Sequence, residues 1–248
     1  MGQPGESTPA GGTGLTRQPG ERWSPFAERI ANAFGLVLLL VLATYVVASL
    51  APPDSGWSAA VIAALGCSSA TIALATAEAR PSIVRVAPWL SAASVLLALI
   101  GAIAGGRGLF AGSALIQVLL LTAAAVAVLR AVVTEAEVGF RTILGAISVY
   151  IILGLLFTFA YIAIAKLQSG DFFGAGTKPG RGDYVFFSVT TLTTTGYGNL
   201  VPAAQPGKLV AEFEMLTGQV FLVTLIARLV SLWQPGERLR QRGSDSDS

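Results

Sequence analysis

The sequence predicts an all-α membrane protein that crosses the bilayer six times in each subunit. Of its 248 residues, 53% are hydrophobic and only 12% are charged, and its mean hydropathy is +0.68. Soluble domains carry about 25% charged residues. A membrane helix needs about 20 apolar residues, and runs of about that length recur along the chain. They cover residues 30–50, 57–77, 86–104, 113–133, 142–165 and 208–233.

The segments between these runs carry turn-forming or charged residues, which predict where each helix ends. Glycine and proline disfavour helix interiors, and charges disfavour the hydrocarbon core. The predicted breaks lie at residues 52–56, 78–81, 105–108, 135–141 and 168–183, the last being long and rich in glycine.

The distribution of basic residues predicts the orientation. Arginine and lysine concentrate on the cytoplasmic side of membrane proteins. If both termini are cytoplasmic, the outer side receives only Arg107, Lys166, Lys178, Arg181 and Lys208, and the remaining arginines fall inside. The sequence therefore predicts a multi-pass protein of the plasma membrane, surrounded by lipid, with residues 168–207 outside.

Composition argues against several other classes of protein. The chain has no histidine and a single cysteine, so disulfide scaffolds, zinc sites and histidine-based catalysis lack their usual residues. Cys67 lies within an apolar run and is predicted to be a buried apolar residue. The net charge is only +2, with no basic face for a nucleic-acid partner. The chain is predicted not to be an enzyme.

Residues 183–202, DYVFFSVTTLTTTGYGNLVP, predict a re-entrant loop made of a half-helix and an extended return. The segment is too short to cross a membrane twice. Asp183 is expected to cap the half-helix, and Tyr184, Phe186 and Phe187 to wedge it against the surrounding helices. Non-helical backbone at membrane depth occurs only inside protein or beside a watery cavity, so the loop indicates a pore.

Within that loop, TTTGYG at residues 193–198 resembles the TVGYG filter of the potassium-channel pore family, and the chain is similar to bacterial members with six spans and a two-span-type pore. The resemblance implies a filter formed by Thr194, Thr195, Gly196, Tyr197 and Gly198. Carbonyl oxygens of the first four, with the Thr194 hydroxyl innermost, would bind K⁺ as the permeant ion. Tyr197 would brace the strand from behind.

The last apolar run resembles the inner helix of that family. Gly218 aligns with the gating-hinge glycine, although a glycine there can equally serve close helix packing. Four residues at helical spacing are expected to line the cavity below the filter. They are Gln219, Leu222, Ile226 and Val230.

Two acidic residues and one amide are the unusual features around the predicted filter. Glu212 and Glu214 lie inside an apolar run, where a carboxyl group is costly. Glu214 is predicted to support the filter by accepting hydrogen bonds from hydroxyl groups of the half-helix such as Thr190 or Thr191. The alternatives are a cation-attracting site, a proton-sensitive element or plain exposure to water. Asn199 and Thr190, both counted among the filter-support residues, stand where relatives carry acidic residues.

The first four spans resemble a voltage-sensor domain without its charges. A voltage sensor carries arginine at every third position of its fourth span, whereas residues 113–133 contain only Arg130. Arg130 is expected to extend toward the headgroups, and the domain is predicted to sense voltage weakly or not at all.

The predicted organisation has four parts: a disordered cytoplasmic tail at 1–28, a four-helix membrane domain at 29–134, a pore domain at 135–233 and a short cytoplasmic tail at 234–248. One loop per chain supplies one wall of an ion cage, so a homotetramer is expected. The predicted function is passive, potassium-selective conduction. The alternatives are a weakly selective cation channel, a potassium transporter subunit and a non-conducting membrane scaffold.

Overall fold

The computed structural model describes residues 25–52, 56–77, 79–134, 140–174 and 176–232. The disordered tail predicted at 1–28 lies outside these ranges, except for residues 25–28, which belong to the first helix. The tail predicted at 234–248 lies outside them entirely. The described residues form the helices α1 (Pro25–Leu50), α2 (Gly56–Thr76), α3 (Pro81–Ala104), α4 (Arg107–Thr134), α5 (Phe140–Leu167), α6 (Arg181–Leu192) and α7 (Gln205–Leu232).

Five of these helices, α2, α3, α4, α5 and α7, are long and apolar enough to cross a membrane. They correspond to five of the six predicted spans. The sixth, α1, is a helix of 26 residues, but its described apolar part is limited to Phe34–Leu50. The all-helical architecture and the membrane character are therefore present in the described part of the chain, while a sixth span stays a prediction.

The helix ends follow local signals. α3 begins at Pro81, before the apolar run, because proline fits the first helical position, where its missing N–H costs nothing. It ends at Gly105, which has a φ of +68° and donates its N–H to the carbonyl of Gly101. A residue with a side chain would be strained in that left-handed conformation. The chain can therefore turn within two residues and start α4.

The main core lies between α1, α2, α4 and α5. Its most completely buried side chains include Val37, Ile62, Leu121, Val128 and Ile152. Buried alanines on α2 and α4 let the helix backbones approach closely, as is usual between membrane helices. Val185 of α6 belongs to the same core. The short helix α6 is thus anchored against α1 as well as against α5.

α7 is different, because most of its apolar surface is exposed in the single chain. It packs on α5 and α6, but large apolar side chains are exposed along nearly its whole length. They include Phe213, Leu216, Val220, Val223, Ile226 and Val230. A helix this apolar must be covered by lipid or by other protein chains.

Candidate functional site

α6 is a helix of 12 residues that lies between α5 and α7, and at 1.5 Å per residue it is about 18 Å long. The Asp183 carboxylate accepts a hydrogen bond from the N–H of Gly180 at 2.8 Å, so Asp183 caps the helix from its third position. Tyr184 and Phe187 are buried in an aromatic cluster with Tyr161, Phe172 and Phe173. These rings hold α6 in a fixed orientation.

The third predicted wedge residue, Phe186, is not in that cluster. Its ring stacks on Tyr197, with the ring centroids 5.7 Å apart and the planes at 17°. Tyr197 is 69% exposed in the single chain. The tyrosine of the predicted filter therefore contacts α6, while its other face is uncovered.

Residues 193–198, which follow α6 and are called the strand below, form a turn and then an irregular segment. Their backbone alternates in handedness. Thr194, Gly196 and Gly198 have φ angles of +56°, +52° and +79°. Among described residues other than glycine, only Thr194 has a positive φ. Alternation of left- and right-handed residues aligns successive N–H groups on one side of the strand.

Hydrogen bonds show which side that is. The N–H of Thr194 donates to the carbonyl of Thr191 at 2.9 Å, and the N–H groups of Thr195 and Gly196 donate to the carbonyl of Thr190 at 2.8 and 3.1 Å. In a trans peptide the carbonyl points opposite to the next N–H, and no described peptide bond is cis. The carbonyls of Thr194 and Thr195 therefore point away from α6.

The outward side of this strand is open. All residues from 193 to 199 are exposed in the single chain. Residues 194–196 thus present the carbonyl oxygens of Thr194 and Thr195 on an uncovered surface, while their own N–H groups donate to carbonyls at the end of α6. Such a row of oxygens is suited to a hard cation that exchanges water for carbonyl ligands.

Glu214 lies behind this strand, and its side chain is fully buried. Its Oε1 accepts a hydrogen bond from the Ser188 hydroxyl at 2.5 Å, and its Oε2 accepts one from the Tyr161 hydroxyl at 2.5 Å. One carboxyl group therefore joins α5, α6 and α7.

The prediction that Thr190 or Thr191 donates a hydrogen bond to Glu214 was wrong. The Thr190 hydroxyl donates to the carbonyl of Phe187 at 3.0 Å, so Thr190 contacts the strand through its backbone carbonyl only. Ser188 is close to Thr190 in the sequence but lies on another side of α6. Tyr161 is 53 positions from Glu214, and no sequence spacing indicated it.

Gly218 lies against the carboxyl end of α6. A Cβ at this position would overlap the carbonyl oxygen of Leu192, so glycine is required for the close approach of α7. The helix runs unbroken through Gly218. This contact supports the interpretation that Gly218 allows close helix packing. Its role as a gating hinge stays a prediction.

Gln219 reaches the strand directly. Its Nε2 donates to the Thr194 hydroxyl at 3.0 Å, an interaction that the sequence did not indicate. Of the other residues predicted to line the cavity, Ile226 and Val230 are exposed in the single chain and Leu222 is half-buried. Asn199 and Glu212 are also exposed, and within the described residues the Asn199 side chain makes no hydrogen bond.

Comparison with known proteins supports an ion channel. Residues 149–234 match the model of a family described as an ion channel. The match covers about a third of the chain, including most of α5, all of α6 and α7, and every residue predicted for the filter, its support and the cavity. It indicates a membrane transport protein and not an enzyme. Comparisons with curated proteins and with solved structures gave no match.

Proposed function

We propose that this chain is one subunit of a homotetrameric, potassium-selective channel of the plasma membrane, through which K⁺ moves passively down its electrochemical gradient. The backbone at residues 194–196 carries the proposal. Its N–H groups are bound to α6, which directs carbonyl oxygens to an uncovered surface, and the strand has the sequence TTTGYG. Rings of such carbonyls replace the hydration shell of K⁺ in selective filters.

The exposure of the strand favours the tetramer. One chain contributes one row of oxygens, and a cation needs ligands on all sides. Cyclic symmetry brings the same surface of each copy to a common axis, and four copies complete the cage. The exposed apolar side chains of α7 would then be covered by neighbouring subunits or lipid.

The same proposal includes six spans, with α1 as the first and both termini in the cytoplasm. The basic residues support this orientation. Residues 181–204 would then form a pore helix and filter on the outer side, as part of a pore domain at 135–233. The four-helix domain at 29–134 would surround it.

A glycine substitution tests the filter. In Gly196→Ala, the new side chain must adopt a φ of about +52°, which costs about 1–2 kcal/mol. We expect purified protein in liposomes to lose most of its K⁺ flux. Gly108→Ala is the matched control, because a Cβ there meets no atom within 4 Å. Equal K⁺ flux from both variants would contradict the filter.

A weakly selective cation channel is the second candidate, and Thr195 favours it. The Thr195 hydroxyl is 2.8 Å from the Thr193 hydroxyl. Position 195 therefore carries a hydrogen-bonded hydroxyl group, whereas the family pattern has the apolar side chain of valine there. With K⁺ on one side and Na⁺ on the other, a selective channel gives a reversal potential far from zero. A reversal potential near zero would favour the weakly selective pore. Saturable uptake without current would favour a transporter.

A further inference from the structure

The side chain of Gln219 joins α7 to the beginning of the strand. Its Nε2 donates a hydrogen bond to the Thr194 hydroxyl at 3.0 Å. The preceding residue, Gly218, packs against the carbonyl of Leu192, which lies two positions before Thr194. Because this contact brings α7 close to the end of α6, the amide of Gln219 is held beside the first residue of the predicted filter.

Thr194 is held from two sides. Its backbone N–H donates to the carbonyl of Thr191 at 2.9 Å, and its side chain accepts the hydrogen bond from Gln219. Its φ of +56° is unfavourable for a residue that branches at Cβ. Such a conformation persists only where the surroundings impose it. The two hydrogen bonds together therefore fix the position of the Thr194 hydroxyl oxygen.

The direction of the hydrogen bond limits what this oxygen can do. A hydroxyl group has one hydrogen and two lone pairs. The amide hydrogen of Gln219 occupies one lone pair of Thr194, so only the other remains for a cation. The amide hydrogen also carries a partial positive charge, which repels a cation bound to the same oxygen. The nitrogen end of the amide, and not its oxygen end, faces Thr194.

We propose that Gln219 sets the cation affinity at the innermost site of the filter, and that it disfavours divalent ions more than K⁺. This inference rests on the proposed function, in which the Thr194 hydroxyls of four subunits surround a common axis. Each hydroxyl then brings one amide donor to that site. Coulomb energy is proportional to the charge of the ion, so the donors oppose a divalent ion twice as strongly as K⁺.

Cation binding to the purified protein tests this role without requiring ion flux. The full chain in nanodiscs is titrated by calorimetry with KCl and with BaCl₂, because Ba²⁺ is a divalent ion close to K⁺ in size. Choline chloride keeps the ionic strength constant. Gln219→Met keeps the length of the side chain and removes the donor. We expect this variant to bind K⁺ about threefold and Ba²⁺ about tenfold more tightly than the wild type, since the charge is doubled.

Two further variants complete the test. Val223→Met is the matched control, because Val223 is an exposed apolar residue about one turn further along α7, and it should bind both ions as the wild type does. Gln219→Glu reverses the hydrogen bond, because a carboxylate only accepts. It should bind Ba²⁺ more tightly than Gln219→Met does. Thermal melts show that each variant is folded.

Each outcome decides the proposal. If the wild type binds neither ion, the filter is overturned together with the role of Gln219. If the wild type binds K⁺ and the Gln219→Met and Val223→Met proteins have equal affinities, the filter stands and the role of Gln219 is overturned. An equal change for both ions contradicts the proposal, because a residue that only shapes the strand does not distinguish charge. Weaker Ba²⁺ binding by Gln219→Met also contradicts it, because the amide oxygen is then a cation ligand.

Discussion

At the scale of single residues, Glu214 carries the most informative contacts. A carboxyl group enclosed by membrane helices is costly unless its oxygens are hydrogen-bonded. Both oxygens of Glu214 accept short hydrogen bonds, from Ser188 and from Tyr161. Ser188 lies two residues before Thr190, whose carbonyl holds the predicted filter strand. The carboxyl group is therefore placed to support that strand from behind.

The first prediction concerns Glu214→Gln. The amide keeps the shape but replaces one acceptor by a donor. Either Tyr161 then loses its acceptor, or Ser188 keeps only its other acceptor, the carbonyl of Gly154 at 2.7 Å. The loss of one such hydrogen bond costs about 0.5–1.5 kcal/mol. We expect a lower melting temperature and weaker retention of oligomers in detergent, measured by scanning fluorimetry and native mass spectrometry.

Glu212→Gln is the control for this change. It alters the same group two positions away, where the side chain is exposed, and should leave the melting temperature unchanged. Equal melting temperatures for the Glu214→Gln and Glu212→Gln proteins would show that the hydrogen bonds do not brace the structure.

At the scale of elements, the contact between α6 and α7 decides how the strand is held. Leu192 ends α6, and its carbonyl faces Gly218 of α7. Because a side chain on α7 would push the two helices apart, the position of the strand depends on this glycine.

The second prediction follows from that contact. In Gly218→Ala the new Cβ meets backbone, which cannot rotate away, and overpacking of this kind costs about 1–3 kcal/mol. We expect a clear fall in melting temperature. In Gly154→Ala the Cβ meets only the side chain of the same Leu192, at 3.7 Å, an ordinary contact. A stable Gly218→Ala protein with altered opening would instead favour the hinge.

At the scale of the whole molecule, the four-helix domain packs on α5 of its own chain through two of its helices. α4 and α1 both contact α5, and α1 also contacts α6. The connection from α4 to α5 spans only residues 135–139, so α4 stays beside the helix that follows it. The four-helix domain and the proposed pore therefore share one core.

The third prediction is that voltage has little effect on this protein. A charge that crosses the membrane field contributes about 2.3 kcal/mol per 100 mV. Arg130 is the only charged residue inside α4 after its first position, and it is exposed near the end of the helix. Conductance recorded in planar bilayers should therefore change little between about −100 and +100 mV. The wild type and Arg130→Gln should behave alike. A steep voltage dependence that Arg130→Gln abolishes would contradict this.

Residues that are close together in the sequence predicted much of the architecture. The lengths of the apolar runs and the Gly and Pro breaks predicted six spans, and five of them are helices long and apolar enough to span a membrane. The motif TTTGYG located the strand, and its glycines indicated the unusual backbone. These features depend on residues within a few positions of one another, so their physical causes are visible in the sequence.

The contacts that position the strand depended on the tertiary structure. Glu214 meets Tyr161 and Ser188, and Gln219 meets Thr194. These partners come from different helices, and their meeting depends on how the helices rotate and cross. Short-range patterns predict which face of a helix is apolar, but the packing of all helices together decides which side chains meet.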